Sequence, residues 1–300
     1  MNEENTGSCL CGEVTWSLKD QPFALYNCHC RMCQKLHGAA FGTYAFIKDD
    51  DFQWTSDTDS VVAYVSSSQL TRSSCSHCGS VVPYLCKGHG GANQKGDRYA
   101  ECTEHDYWVA PAGCHDSMRK PDYNIFVADN APWHRVSGGM PSCPAYPEES
   151  STQAVEGLPN VGKPEGNVRG SCLCGEVTFE VTEPFKLARN CHCSRCRQGR
   201  AAAHACNGFV SYEGVQFLSG EDRLREFKVP DARFFTQVFC EVCSSLMPRK
   251  DSGRNLSVIP MGSLDDDPGL QTSDHIFVDD KATWHKITDN LQQHPQGPPQ

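Results

Sequence analysis

Nineteen cysteines in 300 residues are the side chains of this chain best able to do chemistry. Seven recur at the same spacing in each half, fourteen in all, which leaves five of the nineteen unshared. The first shared group is Cys9-x-Cys11 with Cys75-x-x-Cys78, matched by Cys172-x-Cys174 with Cys240-x-x-Cys243. Two short-spaced pairs far apart in a chain can close a tetrahedral four-thiolate zinc site. Such a site is structural, and it would tie the N-terminal strand of each half to a later hairpin. Zinc bound this way contributes on the order of 10–16 kcal/mol to folding at neutral pH. The second group is Cys28-His29-Cys30-x-x-Cys33, repeated as Cys191-His192-Cys193-x-x-Cys196. Three thiolates crowd one turn there, and a tetrahedral zinc held by three protein ligands keeps one position open, as catalytic zinc does. Three thiolates leave Zn²⁺ net negative and poor at making hydroxide. Such a soft centre suits another sulfur ligand, and a coordinated thiol loses its proton. The chemistry that follows is to bind a small thiol as thiolate and to join it to carbon or release it. His29 and His192 are the nearest candidates for a fourth ligand, though their adjacency to two ligands favours a supporting or surface role.

These residues are positioned by a duplicated unit. Gly7-Ser8-Cys9-Leu10-Cys11-Gly12-Glu13-Val14-Thr15 returns as Gly170-Ser171-Cys172-Leu173-Cys174-Gly175-Glu176-Val177-Thr178. Asn27-Cys28-His29-Cys30 returns as Asn190-Cys191-His192-Cys193, and Ile125-Phe126-Val127 with Trp133-His134 returns as Ile276-Phe277-Val278 with Trp284-His285. A repeat of this kind implies one fold used twice. Val14, Trp16 and Leu18 alternate with polar residues, as do Val177, Phe179 and Val181, and Phe234 to Phe239 is β-branched and aromatic. These are strand signals. Helix is expected only as short turns around Cys30–Lys35 and Cys193–Gln198. The reading is a mostly β chain with little helix: a first domain at 5–136, a linker at 137–168, a second domain at 169–288 and a disordered tail at 289–300. The linker and tail follow from Pro, Gly, Ser and Gln content. The first half alone carries a Gly-rich polar insertion at 87–107, read as a loop.

The formal net charge is −10 and no basic run exceeds the short Arg195-Cys196-Arg197 stretch, so no nucleic-acid partner is expected. No run of 18 apolar residues is present, so no membrane span is expected. The N-terminal residues are polar and acidic, so a signal peptide is not expected either. A cytoplasmic, reducing compartment is the expectation, where clustered cysteines serve metals or catalysis more often than disulfides.

Gly-x-Cys-x-Cys-Gly, Cys-His-Cys-x-x-Cys and Cys75-Ser76-His77-Cys78-Gly79, in this order and with the late Ile-Phe-Val and Trp segment, resemble the glutathione-dependent formaldehyde-activating enzymes, also called the centromere protein V type domain. The resemblance covers nearly the whole chain except linker, insertion and tail. It implies two tandem Mss4-like zinc-binding β domains with up to two Zn²⁺ each. It implies a carbon–sulfur lyase type activity, in which a small thiol such as glutathione adds to formaldehyde. It also implies a catalytic zinc on Cys28, Cys30 and Cys33, and on Cys191, Cys193 and Cys196, with the two four-cysteine sets structural. The second half departs from the pattern. Ser244 follows its last cysteine where Gly79 stands in the first half, and Ala201 stands where the first half has Gly38.

Other readings stay open at this level. The three-cysteine sets could be structural or empty. The protein could be a biosynthetic tailoring enzyme on a larger substrate or a non-catalytic zinc-stabilised binding module, the latter disfavoured by the acidic charge. Cys86, Cys102, Cys114, Cys143 and Cys206 read as ordinary thiols, and Trp133 and Trp284 as core. Arg31, Lys35, Arg195, Arg197 and Arg200 flank the three-cysteine turns and could meet carboxylates of glutathione. For most of them solvated surface charge is the plainer reading, as a solvated turn is for Asp265-Asp266-Asp267.

Overall fold

The computed structural model describes residues 5–68, 70–87, 105–136, 138–147 and 157–297. Cys102 and most of the 87–107 insertion lie outside these residues.

Each half opens with a hairpin whose tip carries the Cys-x-Cys pair. Strands Asn5–Ser8 and Thr15–Leu18 run antiparallel with Gly7 opposite Trp16, and Val168–Ser171 and Thr178–Val181 repeat this with Gly170 opposite Phe179. The pairing is tight because the large side chain lies over the glycine: a Cβ on Gly7 would fall 2.4 Å from the Trp16 ring. A third strand, Phe52–Trp54 or Val215–Ser219, completes each small sheet.

The main sheet carries the three-cysteine turn. Ala24–Cys28 is antiparallel to Gly42–Lys48 and parallel to Tyr123–Ile125, with Ile125 opposite Cys28. In the second half Leu187–Cys191 pairs with Ala205–Ser211 and with Asp274–Ile276, Ile276 opposite Cys191. Immediately after each central strand comes one short helix, α1 (Arg31–His37) or α2 (Ser194–Arg200). Cys30 and Cys193 are their N-cap residues. The architecture is therefore mostly β with little helix, as the alternation patterns imply, and the strand of the 234–239 run is Thr236–Cys240.

Both helices end in a left-handed residue, Gly38 at φ 56° and Ala201 at φ 51°. Gly79 at φ 72° and Ser244 at φ 58° match in the same way. The second half thus keeps the backbone of the first while losing its glycines, at a cost of roughly 1–2 kcal/mol each. Gly38 is also needed sterically, since a Cβ there would stand 2.7 Å from Pro260 of the other half.

The halves pack against each other through reciprocal contacts. Gly262 lies so close to α1 that a Cβ would fall 2.1 Å from the Gln34 carbonyl, and Gly113 so close to the end of α2 that one would fall 2.2 Å from the Ala202 nitrogen. Arg31 donates to the Leu264 carbonyl at 2.6 Å, and Lys35 pairs with Asp265 at 2.6 Å. From the other side Arg197 reaches Asp116 at 2.9 Å. The flanking charges Arg31, Lys35 and Arg197 are buried, so the expectation of solvated surface charge fails for them. The same contact corrects the reading of the acidic triplet: Asp265 is a partner of Arg31 and Lys35, and Asp266 is buried against Arg169. A buried cation is costly unless paired, which is why Asp265 sits beside Arg31 and Lys35.

The tail is also not disordered where it is described. Gln292–Gln293 forms a parallel strand on Asp274–Ile276, and Phe277 donates to the Gln296 carbonyl at 2.9 Å. The start of the expected linker behaves alike: Cys143 donates to Asn124 and Phe126 to the Ala145 carbonyl. Both segments are recruited through backbone hydrogen bonds to a sheet edge, which residue composition does not report. Among the described residues no helix is long and apolar enough to cross a membrane.

One buried histidine reports on this packing. Trp16 donates to His115 Nε2 at 2.7 Å, and His115 Nδ1 lies 3.0 Å from the Asn5 side-chain oxygen. Its backbone carbonyl accepts from Arg197 and Trp284 of the other half. Burial pulls His115 from 6.5 down to about 3. The native state therefore keeps it neutral where the unfolded chain takes up a proton, so its contribution is full above pH 6.5 and is lost as pH falls toward 3. Thermal unfolding followed from pH 7.5 to 4 should show Tm falling, and His115→Gln should flatten part of that fall while lowering Tm at pH 7.5. An unchanged slope would mean that His115 is not held neutral.

Candidate metal centres and their cavities

In the first half the Cys9–Cys11 turn meets the Cys75–Cys78 turn, and their four sulfurs lie within 4.8 Å of one another. Cys9 and Cys11 are 3.4 Å apart and Cys11 and Cys75 3.6 Å. In the second half the matching distances are 3.3 Å for Cys172–Cys174 and 3.8 Å for Cys174–Cys240, and Cys243 completes the group. A tetrahedral ion with bonds of about 2.3 Å to sulfur sets its sulfurs about 3.8 Å apart. A disulfide would need about 2.05 Å, and every described cysteine is free. The spacing fits a metal and not a bridge. Supporting donors repeat as well. Val14 and Val177 point their amides at Cys9 and Cys172 at 3.4 and 3.3 Å. Ser80 and Ser245 hydroxyls meet Cys78 and Cys243, each at 3.4 Å. The two serines went unnoticed in the sequence, although Cys-x-x-Cys-x-Ser is common to both halves.

The three-thiol clusters form where the central strand breaks into helix. Cys28 and Cys191 end their strands, and Cys33 and Cys196 lie inside the first turn of α1 and α2. In each half these sulfurs lie within 4.8 Å of one another, with Cys191 and Cys193 3.6 Å apart. His29 and His192 do not join them. Both rings are buried and point elsewhere, His29 toward Asn124 at 3.3 Å and His192 toward His275 at 2.8 Å. Closure of the set by the neighbouring histidine is therefore not the arrangement found, nor is a surface role for it.

The protonation pattern also favours a cation. Hydrogen bonding to Cys30 and Cys33, with burial, pushes the Cys28 thiol well up, while Cys28 and Cys30 hold Cys33 well below the usual range. Cys30 is pushed up to about 12, since Cys33 and burial together outweigh the lowering by Cys28. In the second half Cys193 is held at about 3 by its two partners, and Cys191 is raised to about 12 by Cys193. Cys191 and Cys193 push Cys196 well above the usual thiol range. A divalent ion bound in either cluster would displace the protons of its thiols.

Each three-thiol cluster opens on a cavity, of about 440 Å³ in the first half and about 600 Å³ in the second. In the first, Arg72 reaches Cys33 at 3.5 Å and the Tyr44 hydroxyl at 2.9 Å. Tyr44 in turn lies 2.6 Å from His37 Nε2. His37 Nδ1 is 2.6 Å from the Arg200 carbonyl, a contact that requires the proton on Nδ1 and leaves Nε2 to accept from Tyr44. Burial holds His37 at about 4, so the ring is neutral. None of Arg72, Tyr44 and His37 stood out in the sequence as belonging to the site; sheet register and the helix bring them to Cys33. Of the flanking basic residues, Arg31 lines the first cavity and Arg195 and Arg200 the second. Lys35 and Arg197 turn into the interface between the halves.

Fold and clusters together define a tandem β protein built on paired cysteine centres. The chain belongs to the glutathione-dependent formaldehyde-activating enzyme family, whose model matches residues 4–129 and again 167–280. A crystal structure of a Rhodobacter sphaeroides protein is similar at 24% identity over 32% of this chain and 87% of that one, with a TM-score of 0.28. Among curated proteins none matches.

The two kinds of centre should respond differently to loss of one ligand. Cys9→Ser removes one of four thiols at a site where a bound zinc would supply on the order of 10 kcal/mol, comparable to the whole stability of a domain. It should leave the first half unfolded or nearly so, by circular dichroism and thermal melting. Cys30→Ser should cost much less. Equal destabilisation by the two changes would make the three-thiol site structural.

Proposed function

We propose that the chain is a zinc-dependent carbon–sulfur lyase acting on the adduct of a glutathione-type thiol with formaldehyde or another small carbonyl compound, with the chemistry at the three-cysteine clusters. The observation that carries this reading is that each three-thiol cluster faces a ligand-sized cavity, whereas three of the four thiols in each four-thiol set are buried. Cys28, Cys30 and Cys33, and Cys191, Cys193 and Cys196, would hold the catalytic zinc, and the four-cysteine sets the structural zinc. Zinc held there by three thiolates would keep one position open, and the chemistry it would supply is binding of a thiol as thiolate.

In the adding direction a carbon–sulfur bond forms, the carbonyl becomes a hydroxyl, and the sulfur proton ends on that oxygen. The reverse releases both partners, and no electrons are exchanged with a third reagent. Arg72 offsets negative charge on Cys33 from 3.5 Å. Burial alone would lower the Arg72 pKa, but Tyr44 and Cys33 reverse this and the net shift is well upward, so the guanidinium stays charged. The Tyr44 hydroxyl, oriented by His37 and Arg72, is the group placed to pass the proton between sulfur and oxygen. These three residues occur only around the first cluster, which supports the first half as the competent one. The aromatic wall of that cavity (Tyr26, Phe46, Tyr84) favours a carbonyl partner larger than formaldehyde as the second reading.

Cobalt-substituted protein titrated with glutathione tests this through the sulfur-to-cobalt absorption band. A saturable change, lost in Cys30→Ser and kept in Cys193→Ser, is the expected result. No change at millimolar glutathione would mean centres closed to thiols, and the lyase reading would give way to a zinc-stabilised binding protein.

A further inference from the structure

The two cavities sit at the same place in the same fold, but only the first is roofed. In each half a later segment turns back and bonds along the three residues that follow the strand Tyr123–Ile125 or Asp274–Ile276. Phe126, Val127 and Ala128 donate to the carbonyls of Ala145, Cys143 and Pro144, at 3.2, 3.1 and 3.4 Å. Phe277, Val278 and Asp279 donate to those of Gln296, His294 and Pro295, at 2.9, 3.1 and 3.3 Å. The two registers match, so Gly297 stands in the second half where Tyr146 stands in the first. A Cβ on Gly297 would lie 3.8 Å from the Phe277 ring, the place that Tyr146 fills against Phe126. Backbone bonds anchor both segments alike, so anchoring does not require a ring.

Tyr146 meets Phe126 edge to face, with centroids 4.8 Å apart. Both line the first cavity, together with Leu158 and Asn160 from the far end of the linker. Asn160 donates to the Ala128 carbonyl at 3.5 Å. Among the described residues none beyond Asp280 lines the second cavity. The linker occurs once in the chain, so the duplication copied the site and not this roof. The volumes agree, about 440 Å³ against about 600 Å³. Tyr146 is half-buried and packs on the cluster that holds Cys28 and Cys33. Burial, with those sulfurs and Cys30 nearby, pushes its phenol up, so the ring is neutral and acts through its shape and its π face.

The inner shells differ in the same sense. Tyr44 and Asn207 each lie two residues beyond the partner of Cys28 or Cys191. Tyr84, opposite Val109, matches Arg249, opposite Val258. Arg72 and Gln237 precede Cys75 and Cys240 by three, and His37 and Arg200 follow Cys33 and Cys196 by four. Rings thus give way to polar chains at the counterparts of His37, Tyr44 and Tyr84. A wall of rings attracts a flat apolar group through offset and edge contacts that a polar wall does not offer.

We propose that Tyr146, carried by the linker, is a specificity-determining residue of the first-half site, selecting a carbonyl partner that bears a flat aromatic substituent. The linker is then part of the site and not a spacer. This rests on the reading that the thiol–carbonyl adduct occupies this cavity, but its test needs no turnover. S-benzylglutathione and S-methylglutathione are stable stand-ins for the adducts with an aromatic aldehyde and with formaldehyde. Each is titrated into full-length, zinc-loaded protein by calorimetry. The benzyl conjugate should bind about tenfold tighter, the upper end for one aromatic contact. Tyr146→Ala should remove most of that preference and Tyr146→Phe should keep it. Should Tyr146→Ala melt below the parent, Tyr146→Leu, which keeps apolar bulk without a flat face, gives the same reading. Equal affinities in the parent would overturn the proposal, as would no binding of either conjugate. So would a preference that survives loss of the ring in a variant that melts like the parent. A benzyl preference lost with the ring, but no cobalt–thiol response to glutathione, would sink the lyase reading alone. A cobalt–thiol response without a benzyl preference would sink this proposal alone.

Discussion

The structure depends first on the meeting of two turns that are far apart in sequence. The Cys9–Cys11 hairpin tip and the Cys75–Cys78 turn have few apolar side chains of their own, yet their four sulfurs lie within 4.8 Å. Sulfurs that close, unbridged, repel as thiolates and gain little as thiols, so the arrangement makes physical sense around a cation. Held there, the small N-terminal sheet is fixed against the hairpin that brings Arg72 to Cys33 and Gln237 across to the Cys78 carbonyl of the other half. The same staple repeats in the second half, and a chain of only 38% hydrophobic content can rely on it in place of a thicker core.

The second constraint is the contact between the halves. Each short helix carries one of its cluster's cysteines and is capped by a second, and it lies against the turn after a strand of the other half, with Gly113 and Gly262 giving the clearance. Arg31, Lys35 and Arg197 cross this layer and are buried, each paired with an acid, Asp265 or Asp116, at its exposed rim. Removing one partner would leave a buried charge uncompensated, which is far costlier than losing a surface pair. The helices that build the three-thiol clusters are therefore held by the opposite half, and neither centre is independent of the duplication.

Within that shared frame the two cavities have diverged. The backbone of the first half is copied so closely that Ala201 and Ser244 keep left-handed conformations where Gly38 and Gly79 stand. The side chains around the clusters are not copied. A tyrosine, histidine and arginine network touches Cys33, while arginines surround the second cluster. The grouping of the sulfurs is kept while the side chains around them change.

The sequence by itself determined the duplication, the mostly β character, the two short helices and the partition of fourteen cysteines into four-thiol and three-thiol groups. These follow from local spacing, because a ligand pair on one turn is a short-range geometric fact. The family was legible for the same reason. Only the tertiary structure decided what surrounds the sulfurs. Arg72, Tyr44 and His37, and their counterparts Gln237, Asn207 and Arg200, reach the clusters through sheet register, the helix and hairpin closure. Their types carry no spacing signal relative to Cys33 and Cys196. Burial of Arg31 and Lys35, and their partner Asp265, arise from contact between halves, more than two hundred residues apart for Arg31. The edge strand at Gln292–Gln293 joins through backbone hydrogen bonds, which any residue but proline can make, so composition could not reveal it.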